Sequence, residues 1–327
     1  MTSRIIQDCS DKSTTDILVS VALIVYNHKL FIEKALNSIL MQKVDFKYEI
    51  IIGDDCSVDG TIDILKKFKE NFPEKINLIL SEKNQGVLHN LINIAKQCQG
   101  KYIAVLDGDD EWKYDGKLQK QINFLERNPD FSGCFHDAEI HNTNKDNKKH
   151  LVNYSTQKYY SQFNLYKEIF YPWDVIHRNI IPSSTLVFVN KNIFDDFSKF
   201  KRIYNSCDWL CELLIIKNSK FKYINEIWSI YNNHSKGITK GVSNISLIEE
   251  NIHILRNLLK DDYYRSIKKD VCYSIARETS YLLHGNDISG INKKRFFKHL
   301  YNFIKYKLIA VYYEVVYLIK RYQSSLN

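Results

Sequence analysis

Four short apolar runs that alternate with amphipathic segments constrain the fold of the first third of this chain. The four runs, all rich in Val, Ile, Leu or Ala, are residues 19–25, 48–52, 76–80 and 102–106. Between them apolar residues recur at three- and four-residue intervals, as in Ile32, Ala35 and Leu36, which is typical of helices with one buried face. Strands that alternate with helices predict a parallel sheet with right-handed crossovers. We therefore predict an α/β fold with a mostly parallel sheet flanked by helices.

The fourth run leads directly into a cluster of carboxylates. Residues 102–112 read YIAVLDGDDEW, so Asp107, Asp109 and Asp110 surround Gly108 at the carboxyl end of the run. Carboxylates packed this closely repel one another unless water or a cation separates them. Ligands of open α/β sheets lie at the carboxyl ends of strands, and hard oxygen ligands suit Mg²⁺ or Mn²⁺. A solvated acidic turn with a helix cap is the alternative, and the position at the strand end favours the metal site.

Polar residues follow the other runs as well. Tyr26 and Asn27 follow the first run, Asp54 and Asp55 follow the second, and Gly86 lies in the loop after the third. Asp55 could accept hydrogen bonds from a base or ribose, or simply form a turn or a cap. The glycine permits close backbone approach to a phosphate or ribose at a helix start, although a plain turn explains it equally well.

Two candidates lie later in the chain. Asp208 opens an apolar helix, where the helix dipole favours a carboxylate, so capping alone would account for it. His234 follows a strand predicted over residues 221–229 and falls in the segment YNNHSKGIT. A lone histidine in a polar loop is usually solvated, so the pattern alone assigns it no role.

The remaining segments predict further elements of the same kind. We expect a helix over residues 116–127, strands over residues 131–135 and 182–189, and helices from residue 245 to the end. Residues 141–161 are polar and without period, which predicts a mobile loop suited to a lid or an acceptor-binding role.

Composition excludes several classes of protein. No apolar run approaches the roughly 18 residues of a membrane-spanning helix, and the polar amino terminus has no signal-peptide core. A cytoplasmic protein is therefore expected. The seven cysteines are scattered without a CxxC pair, which indicates neither a zinc site nor a disulfide framework. The chain also lacks the GxxxxGK[ST] and GxGxxG phosphate-binding motifs.

The positive charge of the chain is concentrated in its carboxyl-terminal tail. The net charge is +8, and basic residues greatly outnumber the single acidic residue, Glu314, after residue 290. The apolar residues of the tail that recur at helical spacing are Leu300, Ile304, Leu308, Val311, Val315 and Leu318. We expect a helix that lies in the interface of an anionic membrane without spanning it, peripheral to the inner face of the plasma membrane. Packing on the catalytic domain or homo-oligomer formation are the alternatives.

Several stretches, in this order and spacing, resemble the family 2 glycosyltransferases with the Rossmann-like GT-A fold. The stretches are VALIVYNHKLFIEKALNSILMQ, EIIIGDDCSVDGT, EKNQG, LDGDDEW with GKLQKQINFLERNP, and CDWL followed by YNNH. The resemblance covers residues 18–240. It implies a flexible amino terminus over residues 1–17, a GT-A domain over residues 18–240 and a helical carboxyl-terminal region over residues 241–327.

The resemblance implies an inverting, metal-dependent hexosyltransferase that moves a sugar from a nucleotide-diphosphate sugar, foremost a UDP-sugar, to an acceptor hydroxyl. By the family pattern Asp55 binds the base, Asp107 binds the ribose and Asp208 is the general base. The donor-binding residues implied are Val25, Tyr26, Asn27, Asp54, Asp55, Asn84, Gly86, Asp107 and Gly108. The ligands implied for Mn²⁺ or Mg²⁺ are Asp109, Asp107 and His234. The acceptor implied is a glycan or lipid-linked glycan of surface polysaccharide assembly, and no nucleic-acid partner is expected.

Two residues depart from the family pattern. Cys207 precedes Asp208 where the family often has Glu, and Asn232 replaces the arginine of the common Tyr-Arg-x-His motif. This second change puts a cationic phosphate contact there in doubt.

Rival functions fit the residues less well. A sugar nucleotidyltransferase normally needs a glycine-rich basic loop after the first strand, and YNHKLF is not one. A haloacid-dehalogenase-type phosphatase requires DxDx[TV], but Glu111 follows Asp110. A non-catalytic nucleotide-sugar-binding protein or scaffold remains an alternative in which Asp208 is only a cap.

Overall fold

The computed structural model of this protein describes residues 4–5, 16–143, 167–191, 200, 206–235, 237, 242–284 and 293–324. The chain divides into two compact units. The first unit comprises Met1–Phe170 with Ile180–Gly237, and the second comprises Tyr171–Asn179 with Ile238–Asn327. The short segment Tyr171–Asn179 thus belongs with the carboxyl-terminal region.

Within the described ranges the first unit is built on one ten-stranded sheet. Its strands are β1 (Arg4–Ile5), β2 (Ile17–Val25), β3 (Lys47–Asp54), β4 (Ile76–Leu80), β5 (Tyr102–Asp107), β6 (Glu111–Trp112), β7 (Gly133–Thr143), β8 (Ile169–Phe170), β9 (Val187–Val189) and β10 (Phe221–His234). The spatial order is β1-β4-β3-β2-β5-β9-β7-β10-β6, and β8 pairs with β10. The four longest pairings, including β4-β3-β2-β5, are parallel. The predicted mostly parallel α/β fold is confirmed.

The helices of the first unit connect these strands, and the second unit consists of helices. The first unit contains α1 (Ile32–Leu40), α2 (Thr61–Asn71), α3 (Val87–Ala95), α4 (Lys117–Arg127) and α6 (Cys207–Ile216). The second unit contains α5 (Pro172–Val175), α7 (Asn244–Leu258), α8 (Asp262–Ser266), α9 (Lys268–His284) and α10 (Lys293–Ser324). Helix α9 packs against both α7 and α10. None of the helices in the described ranges combines the length and apolarity needed to cross a bilayer.

The core of the first unit lies between the parallel strands and the helices that cross over them. Leu23, Ile52 and Leu106, from three neighbouring strands, are fully buried, as expected for a parallel sheet with both faces covered. Close packing of α3 on β3 depends on Gly53, where a Cβ would lie 2.2 Å from Asn90 Oδ1. Asn90 Nδ2 also donates to the Gly53 carbonyl, at 2.8 Å. These contacts fix the start of α3 beside the carboxyl end of β3.

Two predicted strands are wrong in extent because long-range pairing overrides the local pattern. Strand β7 continues to Thr143, and β10 continues to His234, since the two pair in parallel along their whole length. Residues 141–143 and 230–234, predicted as loop, are therefore strand. The rest of the predicted loop, residues 144–161, lies outside the described residues.

A third predicted strand, residues 182–189, is also only partly correct. Ser183–Thr185 forms a 3₁₀ turn, and only Val187–Val189 is strand. The Ser184 carbonyl accepts hydrogen bonds from Trp112 Nε1 at 2.8 Å and from Ser229 Oγ at 3.0 Å. These tertiary hydrogen bonds stabilise the turn.

Candidate active site

Residues 107–110, hereafter the acidic loop, leave β5 at the carboxyl edge of the parallel sheet. The Gly108 amide donates to the Ile24 carbonyl of β2 at 2.8 Å, and the Asp110 amide donates to the Asp107 carbonyl at 3.0 Å. A Cβ on Gly108 would lie 2.7 Å from His28 Nδ1. The loop therefore needs glycine at this position in order to pass close to the residues that follow β2.

Asp109 is held between two imidazoles. Its Oδ2 atom lies 3.0 Å from His234 Nε2 and 3.6 Å from His28 Nε2. Burial opposes ionisation of Asp109, but the hydrogen bond from His234 and the charges of both histidines hold the pKa of this carboxyl below its usual range. The Phe31 ring stacks on His234, with ring centroids 4.7 Å apart.

His234 is therefore not the solvated loop residue that its local sequence predicts. It ends β10, is 9% exposed and contacts the acidic loop. Pairing with β7 and stacking on Phe31 bury it, and neither contact is visible in the residues around it. The structure thus unites two of the three predicted metal ligands.

Asp107 and Asp208 come together at the same site. Asp107 Oδ2 accepts a hydrogen bond from Ser183 Oγ. Burial raises the pKa of the Asp107 carboxyl to about 7, and the negative charges of Asp109 and Asp208 add to this increase. Asp208 lies in the first turn of α6, so α6 begins near the acidic loop.

Asp110 and Asn232 fasten the acidic loop to β10. Asp110 Oδ1 accepts from the Asn232 amide at 2.9 Å, and Asn232 Nδ2 donates to the Asp109 carbonyl at 2.7 Å. Burial and the charges of Asp109 and Asp107 raise the pKa of Asp110 well above its ordinary value. The residue that replaces the family's arginine thus positions the acidic loop.

The predicted donor-binding residues on β3 and α3 also meet. Both carboxylate oxygens of Asp55 accept backbone amides at 2.8 Å, Oδ1 from Gln85 and Oδ2 from Gly86. Asn84 Oδ1 accepts from the same Gly86 amide at 3.1 Å. Gly86 has φ 88°, a conformation that favours glycine. Asp55 therefore holds the loop that starts α3.

The residues after β2 and β3 support one another through backbone hydrogen bonds. Val25 is fully buried, and its carbonyl accepts from the Asp55 amide at 3.0 Å. Asn27, at φ 56°, donates its amide to Ser57 Oγ at 2.8 Å. Asp54 is fully buried and accepts from the Ser57 amide at 2.8 Å. Tyr26 is 36% exposed, so its side chain is more accessible to solvent than the buried residues around it at the ends of β2 and β3.

Sequence reasoning missed the roles of Ser183, Asn232 and Glu212. Ser183 and Asn232 contact the acidic loop from positions more than 70 residues away, and although the family pattern singles out position 232, nothing in the local sequence predicts either contact. Glu212, one turn after Asp208 in an apolar helix, is 1% exposed, and no described residue hydrogen-bonds its carboxylate. Burial and the charge of Asp208 raise its pKa well above the ordinary value. A carboxylate inside a run of apolar residues is the signal that could have identified it.

The side chains do not form a closed cage for a cation. No group of three or more His, Cys, Asp or Glu in the described ranges is arranged to hold a metal ion by itself. Asp109 Oδ2 and His234 Nε2 nevertheless lie 3.0 Å apart, and burial, with the repulsion among the carboxylates added to it, raises the pKa values of Asp107 and Asp110. This donor set fits a Mg²⁺- or Mn²⁺-type ion that takes its remaining ligands from water and phosphate.

Comparisons with known proteins show similarity to glycosyltransferases. Residues 20–182 match the family model described as "Glycosyl transferase family 2". A 116-residue region, 35% of this chain, is 43% identical to TuaG of Bacillus subtilis, a protein named for teichuronic acid biosynthesis, and covers 45% of it. A 109-residue region, 33% of this chain, is 38% identical to the Escherichia coli "UDP-Glc:alpha-D-GlcNAc-diphosphoundecaprenol beta-1,3-glucosyltransferase WfaP". The match covers 41% of that relative.

Longer similarities are weaker in sequence. An uncharacterised protein of Mycobacterium tuberculosis is 26% identical over 67% of this chain, and the match spans 60% of that relative's length. The solved structure of Staphylococcus aureus TarS 1–349 superposes with a TM-score of 0.63, covering 89% of this chain and 81% of that one at 18% identity. At this identity the likeness concerns the fold.

Proposed function

This chain belongs to the family 2 glycosyltransferases, and on that premise we propose that it is an inverting enzyme that transfers a hexosyl group from a nucleotide-diphosphate sugar. The acceptor we propose is a hydroxyl of a glycan or lipid-linked glycan in surface polysaccharide assembly. The position of Asp208 carries the proposal, because Asp208 lies in the first turn of α6 and near enough to Asp107 for its charge to help raise the pKa of that carboxyl. A carboxylate that can accept a proton thus lies beside the acidic loop, to which we assign the metal and the diphosphate.

The residues divide the chemistry between them. In an inverting transfer the acceptor hydroxyl attacks the anomeric carbon from the face opposite the leaving nucleoside diphosphate. Asp208 accepts the proton of that hydroxyl as the general base. Asp107, which Ser183 orients, binds the ribose. The loop that Asp55 holds at the start of α3 receives the base, with Val25, Tyr26 and Asn27 on its other side.

Asp109 and His234, with Asp107 beside them, would hold a divalent cation, Mn²⁺ or Mg²⁺. Such a cation, when bound, offsets the negative charge that develops on the leaving diphosphate. Asn232 keeps the Asp109 carboxylate directed at the site by fixing its backbone carbonyl.

The names of relatives support the donor and acceptor classes. The WfaP relative is named for a UDP-glucose donor and a lipid-diphosphate-linked acceptor, and a complex of TarS contains UDP-GlcNAc. We accordingly propose a UDP-sugar as donor. We also propose that the protein acts on the cytoplasmic side of the plasma membrane.

Release of nucleoside diphosphate from UDP-, GDP- and dTDP-sugars, measured with and without Mn²⁺, tests the proposal. Asp208→Asn is expected to keep the donor affinity measured by titration calorimetry and to lower turnover by at least about a hundredfold, because an amide cannot accept the proton. Asp109→Ala is expected to abolish the Mn²⁺-dependent part of donor binding.

The matched control is Asp262→Asn, which makes the same change in the first turn of α8, where the carboxylate is exposed and pairs with Arg265. This variant is expected to keep wild-type turnover. Near-normal turnover of Asp208→Asn would reduce Asp208 to a helix cap. Unchanged Mn²⁺-dependent donor affinity in Asp109→Ala would reject the metal assignment.

A further inference from the structure

Helix α10 has a row of exposed large apolar side chains on one face. Its exposed large apolar residues are Phe297, Tyr301, Ile304, Leu308, Val311, Tyr312, Val315 and Ile319. We call this set the apolar stripe. Leu308 is 64% exposed, whereas His299 and Ala310, on the other side of the helix, are 5% and 6% exposed. Helix α10 thus packs along α9 through one face and leaves the apolar stripe in contact with solvent.

The stripe is continuous along the helix. Its members are spaced by three and four residues, so at about 100° per residue they occupy roughly a quarter to a third of the helix circumference. Of the predicted tail residues, Ile304, Leu308, Val311 and Val315 are exposed within it, and Leu300 is half-buried. The side chain of Leu318 lies outside the described residues. A contiguous apolar surface of this length marks an interaction site.

Lysines border the stripe on both sides. Helical geometry places Lys298 and Lys305 along one edge and Lys307 along the other, and all three are exposed. Lys305 Nζ lies 6.0 Å from the centroid of the Tyr301 ring in the stripe and 5.6 Å from the centroid of the Tyr306 ring beside it, so the ammonium group lies at the edge of the stripe. The only acidic residue of the helix, Glu314, pairs with Lys269 of α9. The exposed face is therefore apolar in the middle and positive at its edges.

This charge pattern discriminates between two possible partners of the apolar stripe, a second copy of α10 and the surface of an anionic membrane. Helices that pair through an apolar seam use opposite charges on its flanks, whereas a second copy of α10 would bring lysines against lysines. A bilayer surface with anionic head groups matches both features, since its acyl boundary accepts the apolar residues and its head groups attract the lysines. The two tyrosines have the amphipathic rings that favour the membrane interface.

We propose that the apolar stripe of α10 and its bordering lysines bind the surface of an anionic membrane. The helix lies in the plane of the interface, with the stripe at the boundary between head groups and acyl chains. The proposal rests on α10 alone and is independent of the reaction assigned to the first unit.

Co-sedimentation of the full chain with lipid vesicles tests the proposal. Vesicles of phosphatidylcholine with phosphatidylglycerol are expected to bind the protein at least tenfold more tightly than vesicles of phosphatidylcholine alone, and added salt is expected to weaken the binding. The triple variant Ile304→Ser, Leu308→Ser and Val311→Ser should lose binding to both kinds of vesicle. Lys298→Glu, Lys305→Glu and Lys307→Glu together should lose the preference for anionic lipid.

The charge-matched control changes Lys47, Lys66 and Lys67 to Glu, three exposed lysines of the first unit, and is expected to bind like the wild type. All six lysines are exposed, so the two charge variants are expected to keep the helical circular dichroism of the parent. Equal binding by the two charge variants would overturn the proposal, as would absence of binding by the wild type. Analytical ultracentrifugation tests the alternative occupant. If the wild type does not bind vesicles but is a dimer, and the triple serine variant is a monomer, the stripe binds a second copy of the chain instead.

Discussion

Lys117 is a fully buried lysine at the start of α4. Its ammonium group lies 4.0 Å from the centroid of the Trp112 ring, and none of the described residues accepts a hydrogen bond from it. Burial lowers the pKa of Lys117 to about 7. The aromatic ring offsets part of the cost of burying this charge, but the folded protein binds the proton far less tightly than the unfolded chain does.

The stability of the protein should therefore depend on the protonation of Lys117. Between pH 7 and the ordinary lysine pKa of 10.5, Lys117 is protonated in the unfolded chain and deprotonated in the folded protein. Folding must release this proton, and the free-energy cost of doing so is largest near pH 7 and decreases as the pH rises. The contribution of Lys117 to the free energy of unfolding should rise with pH in this window, by up to about 1.4 kcal/mol per pH unit, and it is measured as the difference in slope between the wild type and Lys117→Met. Lys117→Met should be more stable than the wild type at pH 7, and urea unfolding between pH 7 and 9 measures the slope.

Lys120→Met is the control, because Lys120 lies on the same helix and is exposed. It is expected to keep the wild-type slope. If Lys117→Met keeps that slope too, the buried ammonium is not its cause.

At the level of single residues, sequence reasoning succeeds where the signal is local. The acidic loop was predictable because its carboxylates adjoin one strand end, and Asp55 because it follows another. Ser183 and Asn232 were not, since each acquires its role from a contact across the fold. Physical environment also differs from local pattern at His234, which is buried although its sequence neighbours are polar.

Among the elements, the junction between β3 and α3 depends on one carboxylate. Asp55 accepts the amides of Gln85 and Gly86 with separate oxygens, and its own amide donates to Val25 of β2. Three segments of the site are thus joined at Asp55. Asp55 is 3% exposed, so solvent cannot readily replace a lost acceptor.

Replacing Asp55 by Asn should loosen this junction. The side-chain amide of the variant keeps one acceptor oxygen, but its NH₂ group faces a backbone amide that has lost its acceptor. Leaving a buried donor unpaired costs about 1–3 kcal/mol. We expect the free energy of unfolding in urea to fall by that amount, together with donor affinity. Asp45→Asn changes an exposed aspartate and should have little effect. A wild-type stability for Asp55→Asn would show that the two amides find other acceptors.

The order of elements from β2 to β5, and the helix α4, were predictable because each of these strands is largely buried and each helix is amphipathic. The two-residue strand β6 (Glu111–Trp112) was not predicted. The pattern fails beyond that point for physical reasons. Strand β10 includes polar residues that its pairing with β7 holds in the sheet, and the turn at Ser183–Thr185 depends on hydrogen bonds from Trp112 and Ser229. Neither long-range pairing nor tertiary hydrogen bonding leaves a periodic trace in sequence.

On the scale of the whole molecule, the second unit is discontinuous in sequence. Tyr171–Asn179 leaves the first unit and joins the carboxyl-terminal helices. His177 Nδ1 lies 2.7 Å from Ser274 Oγ of α9, and His177 Nε2 lies 3.8 Å from Asp270 Oδ1. Burial, assisted by the charge of Arg277, lowers the pKa of His177 to about 4, so the imidazole is neutral at pH 7 and its bond to Ser274 is a neutral hydrogen bond.

A double-mutant cycle between His177→Ala and Ser274→Ala should reveal this connection between segments 97 residues apart. The expected coupling energy in urea unfolding is about 1 kcal/mol, the net worth of an ordinary hydrogen bond. The control cycle replaces Ser274→Ala by Ser266→Ala, because the Ser266 hydroxyl bonds the Tyr263 carbonyl within α8, and it should give no coupling. Additive effects in the first cycle would contradict the connection. A coupling of the expected size would mean that a chain cut after Gly237 leaves Tyr171–Asn179 without a partner that stabilises it. Such a truncated chain should therefore be less stable than the full chain.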